Sequence, residues 1–102
     1  MEYKIKDICT WTMDSCPAAG KIIDISGTVT GVYFDQNKPE FSILGDYMTL
    51  GDNDGNYVFV RCLPKSLKKS VKSGDSFTCK ALFICHCIWE GRRVPLLNYE
   101  EA

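Results

Sequence analysis

A tight turn between two strand-like stretches constrains the fold of this chain more than any other feature. The turn covers residues 51–56, GDNDGN, and contains the Asp-Gly pair that is typical of β-hairpins. The stretch after it alternates with the period of a β-strand. Its apolar side consists of Val58, Val60 and Cys62, and its other side of Tyr57, Phe59 and Arg61. If the apolar side packs in the core, the other side exposes two aromatic rings and a guanidinium to solvent.

The rest of the chain predicts a string of strands with one short helix. In order, the predicted elements are strands at 21–34, 41–50 and 57–62, a helix at 65–72, and strands at 76–89 and 94–98. Glycine weakens a strand unless the strand must bend or bulge, so Gly27 and Gly31 suggest a long, strongly coiled first strand. The helix is predicted because Leu67 and Val71 are four residues apart and can face one core. Pro95 restricts the last strand to an edge or an unpaired position at that residue.

The fourth predicted strand is the longest. Regular alternation places one row of its side chains on a single face: Phe77, Cys79, Ala81, Phe83, Cys85, Cys87 and Trp89. The opposite row is polar at first and apolar later, so we expect the second half of the strand to be covered on both faces. The three cysteines of the first row are expected to be core side chains, because a free cysteine behaves as a small hydrophobe.

Length and composition favour one soluble domain. The chain has 102 residues, 45 % of them hydrophobic, which is enough for one core and too few for two ordinary domains. No apolar run reaches the length of a secretory signal or a membrane span, which predicts a cytoplasmic protein with no membrane partner and with reduced cysteines. The net charge of −1 removes the compositional argument for nonspecific nucleic-acid binding, so any nucleic-acid site must be local.

The order of elements resembles the OB-fold, a five-stranded Greek-key barrel. More narrowly, residues 21–98 resemble the small bacterial OB domains related to the anticodon-binding barrels of aminoacyl-tRNA synthetases. The segments that carry the resemblance are IDISGTVTGV, MTLGDNDGNYVFVRC and LKKSVKSGDSFTCKALF. It implies an all-β fold with one short helix, in which residues 1–20 form an N-terminal extension and residues 21–102 form the barrel.

The resemblance also implies a ligand surface. In OB-folds the ligand binds the exposed face of strands two and three together with the loops that flank it. On the strands the matching residues are Tyr47, Thr49, Tyr57, Phe59 and Arg61. In the flanking loops they are Tyr33, Lys38, Trp89, Arg92 and Arg93. Two other interpretations stay open: the aromatic row lies under another part of the chain or a second subunit, and the two adjacent arginines are solvated.

The sequence offers little for catalysis or for a metal. His86 is the only histidine, and no serine or acidic residue lies at the spacing of a catalytic partner. Cys85 and Cys87 flank it and suggest zinc, but alternation sends His86 to the face opposite the two thiols, and no C-x-x-C motif occurs. We therefore expect no enzyme, no catalytic residue, no metal and no cofactor.

The leading functional hypothesis is a non-catalytic module that binds single-stranded DNA or RNA. Bases would stack on Tyr57 and Phe59, while Arg61, Arg92 and Arg93 hold phosphates. The alternative is a protein-interaction module that docks the same face on a partner, as a subunit, adaptor or inhibitor such as phages and mobile elements encode. A homodimer formed through an exposed strand edge is a third alternative.

Overall fold

The computed structural model describes residues 2–10, 20–33 and 46–100. The elements in chain order are β1 (Glu2–Tyr3), α1 (Ile5–Thr10), β2 (Ile22–Tyr33), β3 (Tyr47–Gly51), β4 (Tyr57–Arg61), α2 (Lys65–Ser70), β5 (Ser76–Trp89) and β6 (Arg92–Glu100). The predicted β-rich fold and the predicted helix before the fourth strand are confirmed. The loop predicted at 35–40 and the first part of the predicted second strand, 41–45, lie outside the described residues.

Five of the strands form a closed sheet. β2 pairs with β3, β3 with β4, β4 with β6 and β6 with β5, and β5 pairs back to β2. The β4–β6 pair is parallel and the other four are antiparallel. The hairpin predicted from GDNDGN is confirmed, since Tyr47 to Gly51 pair with Arg61 to Tyr57 across that turn. β1 adds to β2 in parallel at Glu2 and Tyr3.

Each of the two long strands, β2 and β5, contains a bulge. Odd-numbered side chains point to the inner face before the bulge and to the outer face after it. The register shifts between Val29 and Gly31 in β2, and between Phe83 and Cys85 in β5. Each bulge adds one unpaired residue, which reverses the alternation beyond it. The glycines of β2 predicted strong coiling of that strand, whereas nothing in the sequence of β5 indicated a bulge.

The β5 bulge overturns two expectations about that strand. Cys79 packs in the core on the inner face, but Cys85 is exposed and Cys87 packs on the outer face, so the three cysteines do not share one core. The second half of β5 is not covered on both faces either, since Ile88 is 73 % exposed. Cys62 is also exposed rather than buried, because β4 ends at Arg61 and Cys62 turns the chain with φ 64°.

The inner face of the closed sheet encloses the main core, and a short helix lies at each end of it. At the end near the β3–β4 turn, α1 inserts Ile5 and Ile8, both buried, among the core side chains. At the opposite end, Leu67 of α2 packs on the same core. Lys68 of α2 forms an ion pair with Asp46, just before β3, with 2.7 Å between Nζ and Oδ2. The helices thus cover apolar surface that the five strands alone leave open.

His86 connects β5 to α1. Its Nε2 lies 3.3 Å from the carbonyl oxygen of Ile8, and its ring packs edge-on against Phe83 with 5.3 Å between centroids. Because the Ile8 oxygen can only accept, Nε2–H is the donor. Burial lowers the pKa of His86, with a smaller opposing effect from this hydrogen bond and a further lowering by Arg93. The folded protein therefore favours neutral His86.

We expect His86 to make the protein less stable as the pH falls through about 6.5, the ordinary pKa of histidine. The folded pKa is below the unfolded one, so the unfolded chain binds the proton first and the stabilisation present above that pH is lost below it. The check is the free energy of unfolding of wild type and His86→Gln between pH 5 and 8. Glutamine retains a donor for the Ile8 carbonyl, and parallel pH profiles for the two proteins would contradict the assignment.

Candidate binding cleft

The outer face of the sheet carries a second apolar cluster that is separate from the main core. Its buried members are Tyr47, Phe59, Val94 and Leu96, and Tyr57, Cys87 and Trp89 pack against them. On β4 the two faces alternate, since Val58 and Val60 point into the main core while Phe59 points outward. This outer cluster forms the floor of the site that the sequence predicted on the second and third strands of the sheet.

A cleft of about 410 Å³ opens above the outer cluster. It is lined by Thr30, Tyr33, Tyr47, Thr49, Tyr57, Phe59, Trp89 and Glu90. The β2 bulge brings Tyr33 to this face, and the β5 bulge brings Trp89, so the two long strands supply opposite walls to a floor made by β3 and β4. The volume lies within the range of about 300–1,000 Å³ that is typical of small-ligand pockets.

The aromatic rings of the cleft pack on one another. Tyr33 stacks on Tyr47 with 4.8 Å between centroids, and Tyr47 meets Phe59 edge-on at 5.2 Å. Phe59 meets Trp89 edge-on at 5.5 Å. Phe59 is consequently only 1 % exposed, and the expectation that it faces water is wrong. The rings form a walled cleft instead of a flat row on which successive bases could stack.

Gly31 creates the space for the Tyr33 ring. A Cβ at Gly31 would lie 2.8 Å from the Tyr33 hydroxyl and 2.9 Å from a ring carbon. Tyr33 and Gly31 face Tyr47 and Thr49 across the β2–β3 ladder. Glycine beside the bulge therefore lets the ring fold back along its own strand and stack on Tyr47.

The polar atoms of the cleft are mostly hydroxyls. The hydroxyls of Thr30 and Thr49 form a hydrogen bond of 2.7 Å to each other, which joins β2 to β3 beside the bulge. Burial raises the pKa of Tyr47, and the neighbouring Tyr33 and Tyr57 raise it further. The phenol of Tyr47 is therefore neutral at physiological pH. Glu90, the one carboxylate among the described lining residues, sits in the turn after β5 with φ 51°.

The predicted arginines do not converge on the cleft. Arg92 stands over the Tyr57 ring with 5.2 Å from Cζ to the centroid, and it pairs across the hairpin with Trp89 on the cleft side. Arg93 pairs with Ile88 on the other face, so the structure does not bring the two arginines together. Arg61 donates from Nε to Asn98 Oδ1 at 2.6 Å. Lys38 lies outside the described residues.

Six of the ten predicted site residues line the cleft together: Tyr33, Tyr47, Thr49, Tyr57, Phe59 and Trp89. Sequence reasoning missed Thr30 and Glu90. Thr30 could have been found from Gly31, since a bulge at that glycine turns its neighbour outward. Glu90 could have been found from its place in the turn that supplies Trp89 and Arg92. Within the part of the chain that the structure describes, no lysine or arginine lines the cleft.

The five described cysteines are free thiols, and three of them have little nucleophilic character. Burial raises the pKa of Cys9 and Cys87, and it raises the pKa of Cys79 to about 11. A thiol with a raised pKa stays protonated at neutral pH and is a poor nucleophile and metal ligand. Among residues 2–10, 20–33 and 46–100, no three side chains of the histidine, cysteine, aspartate or glutamate type are grouped to hold a metal ion.

No protein-family model matches this chain, and no curated protein or solved structure matches it. Neither of the two described helices has the length and apolarity needed to cross a membrane. The function must therefore be argued from the cleft itself.

Proposed function

We propose that this chain is an OB-fold module that binds a segment of a partner protein in the aromatic cleft. The connectivity of the closed sheet supports the fold assignment. Its first strand in chain order, β2, pairs with its second, β3, and with its fourth, β5. Its third strand, β4, pairs in parallel with its fifth, β6. Such pairing is expected of a five-stranded Greek-key barrel. In OB-folds the face of the second and third strands is the usual ligand surface, and here those strands, β3 and β4, carry the floor of the cleft.

The chemistry of the residues that line the cleft favours a protein partner over nucleic acid. Its walls are aromatic and hydroxyl side chains, its charged member is the carboxylate of Glu90, and no described lining residue is basic. Tyrosine and tryptophan are enriched at protein interfaces and at their energetic hot spots. A groove for a nucleic-acid backbone instead needs lysine or arginine to neutralise phosphates.

The same lining favours binding over catalysis. The two threonine hydroxyls bond to each other and not to a base that could activate them. His86, the only histidine of the chain, faces α1 on the inner side of the sheet, away from the cleft. A nucleophile and a general base within hydrogen-bond reach of each other are the minimum for acyl transfer or hydrolysis of that kind.

Single-stranded nucleic acid is the second candidate, and one contact favours it. Arg92 stands over Tyr57 at the edge of the cleft and is exposed, so its guanidinium could reach a phosphate while one base enters the cleft. This arrangement would bind one stacked base with one phosphate contact. With a single phosphate contact, the binding affinity falls only slightly as the salt concentration rises.

We expect peptides selected from a random displayed library on the wild-type protein to lose at least tenfold in affinity for Tyr57→Ala. Tyr57 lines the cleft and packs on Phe59 with 5.9 Å between centroids, so alanine removes both contact area and the support of the floor. A tenfold loss corresponds to about 1.4 kcal/mol, the size of a modest interface hot spot. Affinity is measured by fluorescence anisotropy of labelled peptides.

Ile88→Ala is the matched control, because Ile88 is a large exposed side chain of β5 on the face opposite Trp89 and the cleft. Circular dichroism verifies that both variants remain folded. Selected peptides that bind Tyr57→Ala as tightly as wild type, or a library without enrichment, would contradict the proposal. Single-stranded oligonucleotides that bind the wild type, and that bind Tyr57→Ala more weakly, would replace it with the second candidate.

A further inference from the structure

We infer that the group entering the cleft is a positively charged side chain of the partner, a guanidinium or an ammonium. This inference rests on the proposed function and specifies its ligand. Three properties of the cleft carry it: the electron-rich faces of its rings, the acceptor character of its polar atoms, and the arginine that already lies on its edge.

The walls present aromatic faces to the ligand. Tyr33 from β2, Tyr57 from β4 and Trp89 from β5 line the cleft, and all three keep part of their surface exposed. Aromatic faces carry negative charge density and attract cations, tryptophan most strongly. Rings on several sides of one small cavity are the arrangement that proteins use to hold quaternary and methylated ammonium groups.

The polar atoms of the cleft suit a donor-only ligand. Guanidinium and ammonium groups donate hydrogen bonds and accept none. The lining offers hydroxyl oxygens from Thr30, Thr49 and the tyrosines, and the two oxygens of the Glu90 carboxylate are acceptors only. No lysine or arginine lines the described part of the cleft, and Arg92 stands at its edge.

Arg92 demonstrates that a ring of this site holds a guanidinium. Its Cζ lies 5.2 Å from the centroid of Tyr57, within the distance of about 6 Å at which cation–π attraction operates. Arg92 is not among the lining residues, so it occupies one ring at the edge and leaves the interior to a ligand.

The test compares N-acetyl-arginine N-methylamide with the corresponding citrulline derivative, which has nearly the same shape and no charge. Each is titrated into the wild-type protein, and the shift of the Trp89 indole N–H resonance is followed by NMR. A Trp89→Phe spectrum assigns that resonance, since Trp11 also has an indole. We expect the arginine probe to shift the Trp89 signal, with saturation at millimolar concentration, and the citrulline probe to bind at least threefold more weakly.

Glu90→Gln removes the carboxylate and keeps the size of the side chain. We expect it to weaken the arginine probe two- to fivefold, the range for an exposed ion pair, and to leave the citrulline probe unchanged. Asp54→Asn, in the exposed β3–β4 turn, is the control for a general loss of negative charge. Equal binding of the two probes, no binding of either, or equal effects of the Glu90 and Asp54 substitutions would overturn the inference.

The displayed peptides separate a failure of the inference from a failure of the proposed function. If the selected peptides depend on Tyr57 but lose no affinity when their basic residues become glutamine, the protein-binding proposal stands and the cationic ligand is wrong. If no selected peptide depends on Tyr57, the proposed function itself fails. A lysine or arginine that is required in every Tyr57-dependent peptide supports both.

Discussion

Ile8→Ala will lower the free energy of unfolding by about 2–5 kcal/mol, the cost of truncating a buried isoleucine in a well-packed core. Ile8 is 0 % exposed and packs from α1 into the core enclosed by the closed sheet. A helix of six residues has little stability of its own, so its position depends on this packing. Denaturant unfolding, followed by circular dichroism, measures the change.

Lys6→Ala is the control for this experiment. Lys6 lies in the same helix but is exposed, so we expect its substitution to change the free energy of unfolding by less than about 0.5 kcal/mol. If Ile8→Ala behaved like Lys6→Ala, α1 would be an appendage and not part of the core. The comparison therefore decides whether the first ten residues belong to the folding unit.

The position of α1 also matters for the cleft. The Cys9 thiol donates to the carbonyl oxygen of Tyr57 at 3.4 Å, at the start of β4. The side chain of Tyr57 is on the cleft side, while its backbone is held from α1. The N-terminal helix and the binding cleft thus meet at the same residue, and a loss of α1 would loosen one wall of the cleft as well as the core.

The sequence predicted the strands and the β3–β4 hairpin well because the relevant signals are local. The Asp-Gly turn fixes the β3–β4 hairpin, and the alternation of Val58 and Val60 with Phe59 identifies the two faces of β4. Such signals depend on the sterics of adjacent residues and on the hydrophobic effect. They need no knowledge of which strands become neighbours.

The bulges were harder to predict because they depend on pairing between distant segments. In β5 the row from Phe77 to Trp89 looks regular, yet the register shifts by one residue after Phe83. Only the partner strand β6 reveals the shift, since Phe83 faces Leu97 and Cys85 faces Leu96. Because of this one-residue shift, the side chains of the row pack in the core before the bulge and lie on the outer face after it.

The candidate site was predictable in its residues and not in its chemistry. The resemblance pointed to Tyr47, Tyr57 and Trp89, all of which line the cleft. It did not anticipate that Phe59 would be buried by its neighbours or that Arg93 would lie on the opposite face. Whether a row of aromatic residues is a stacking surface or a walled cleft depends on side chains from four strands, and strand alternation alone does not contain that information.

Gly27→Ala will lower the free energy of unfolding by about 1–3 kcal/mol, the usual cost of overpacking. A Cβ at Gly27 would lie 2.6 Å from Ile5 Cδ1 and 2.7 Å from the carbonyl oxygen of Gly51. The first atom ends a flexible side chain and can move, whereas the second belongs to the β3 backbone that pairs with Thr28. Alanine at an unstrained glycine would instead stabilise by about 0.4–1 kcal/mol, so even the sign of the effect is informative.

A double variant separates the two contacts of Gly27. Ile5→Val removes Cδ1, so it relieves the side-chain clash in Gly27→Ala and leaves the clash with the Gly51 oxygen. We expect the double variant to lose less stability than the sum of the single variants, because the two positions share one contact. Additive losses would place the whole cost at the β2–β3 backbone. A neutral or stabilising Gly27→Ala would mean that α1 does not pack against β2 as closely as the structure has it, and the joint support of core and cleft by this helix would fail with it.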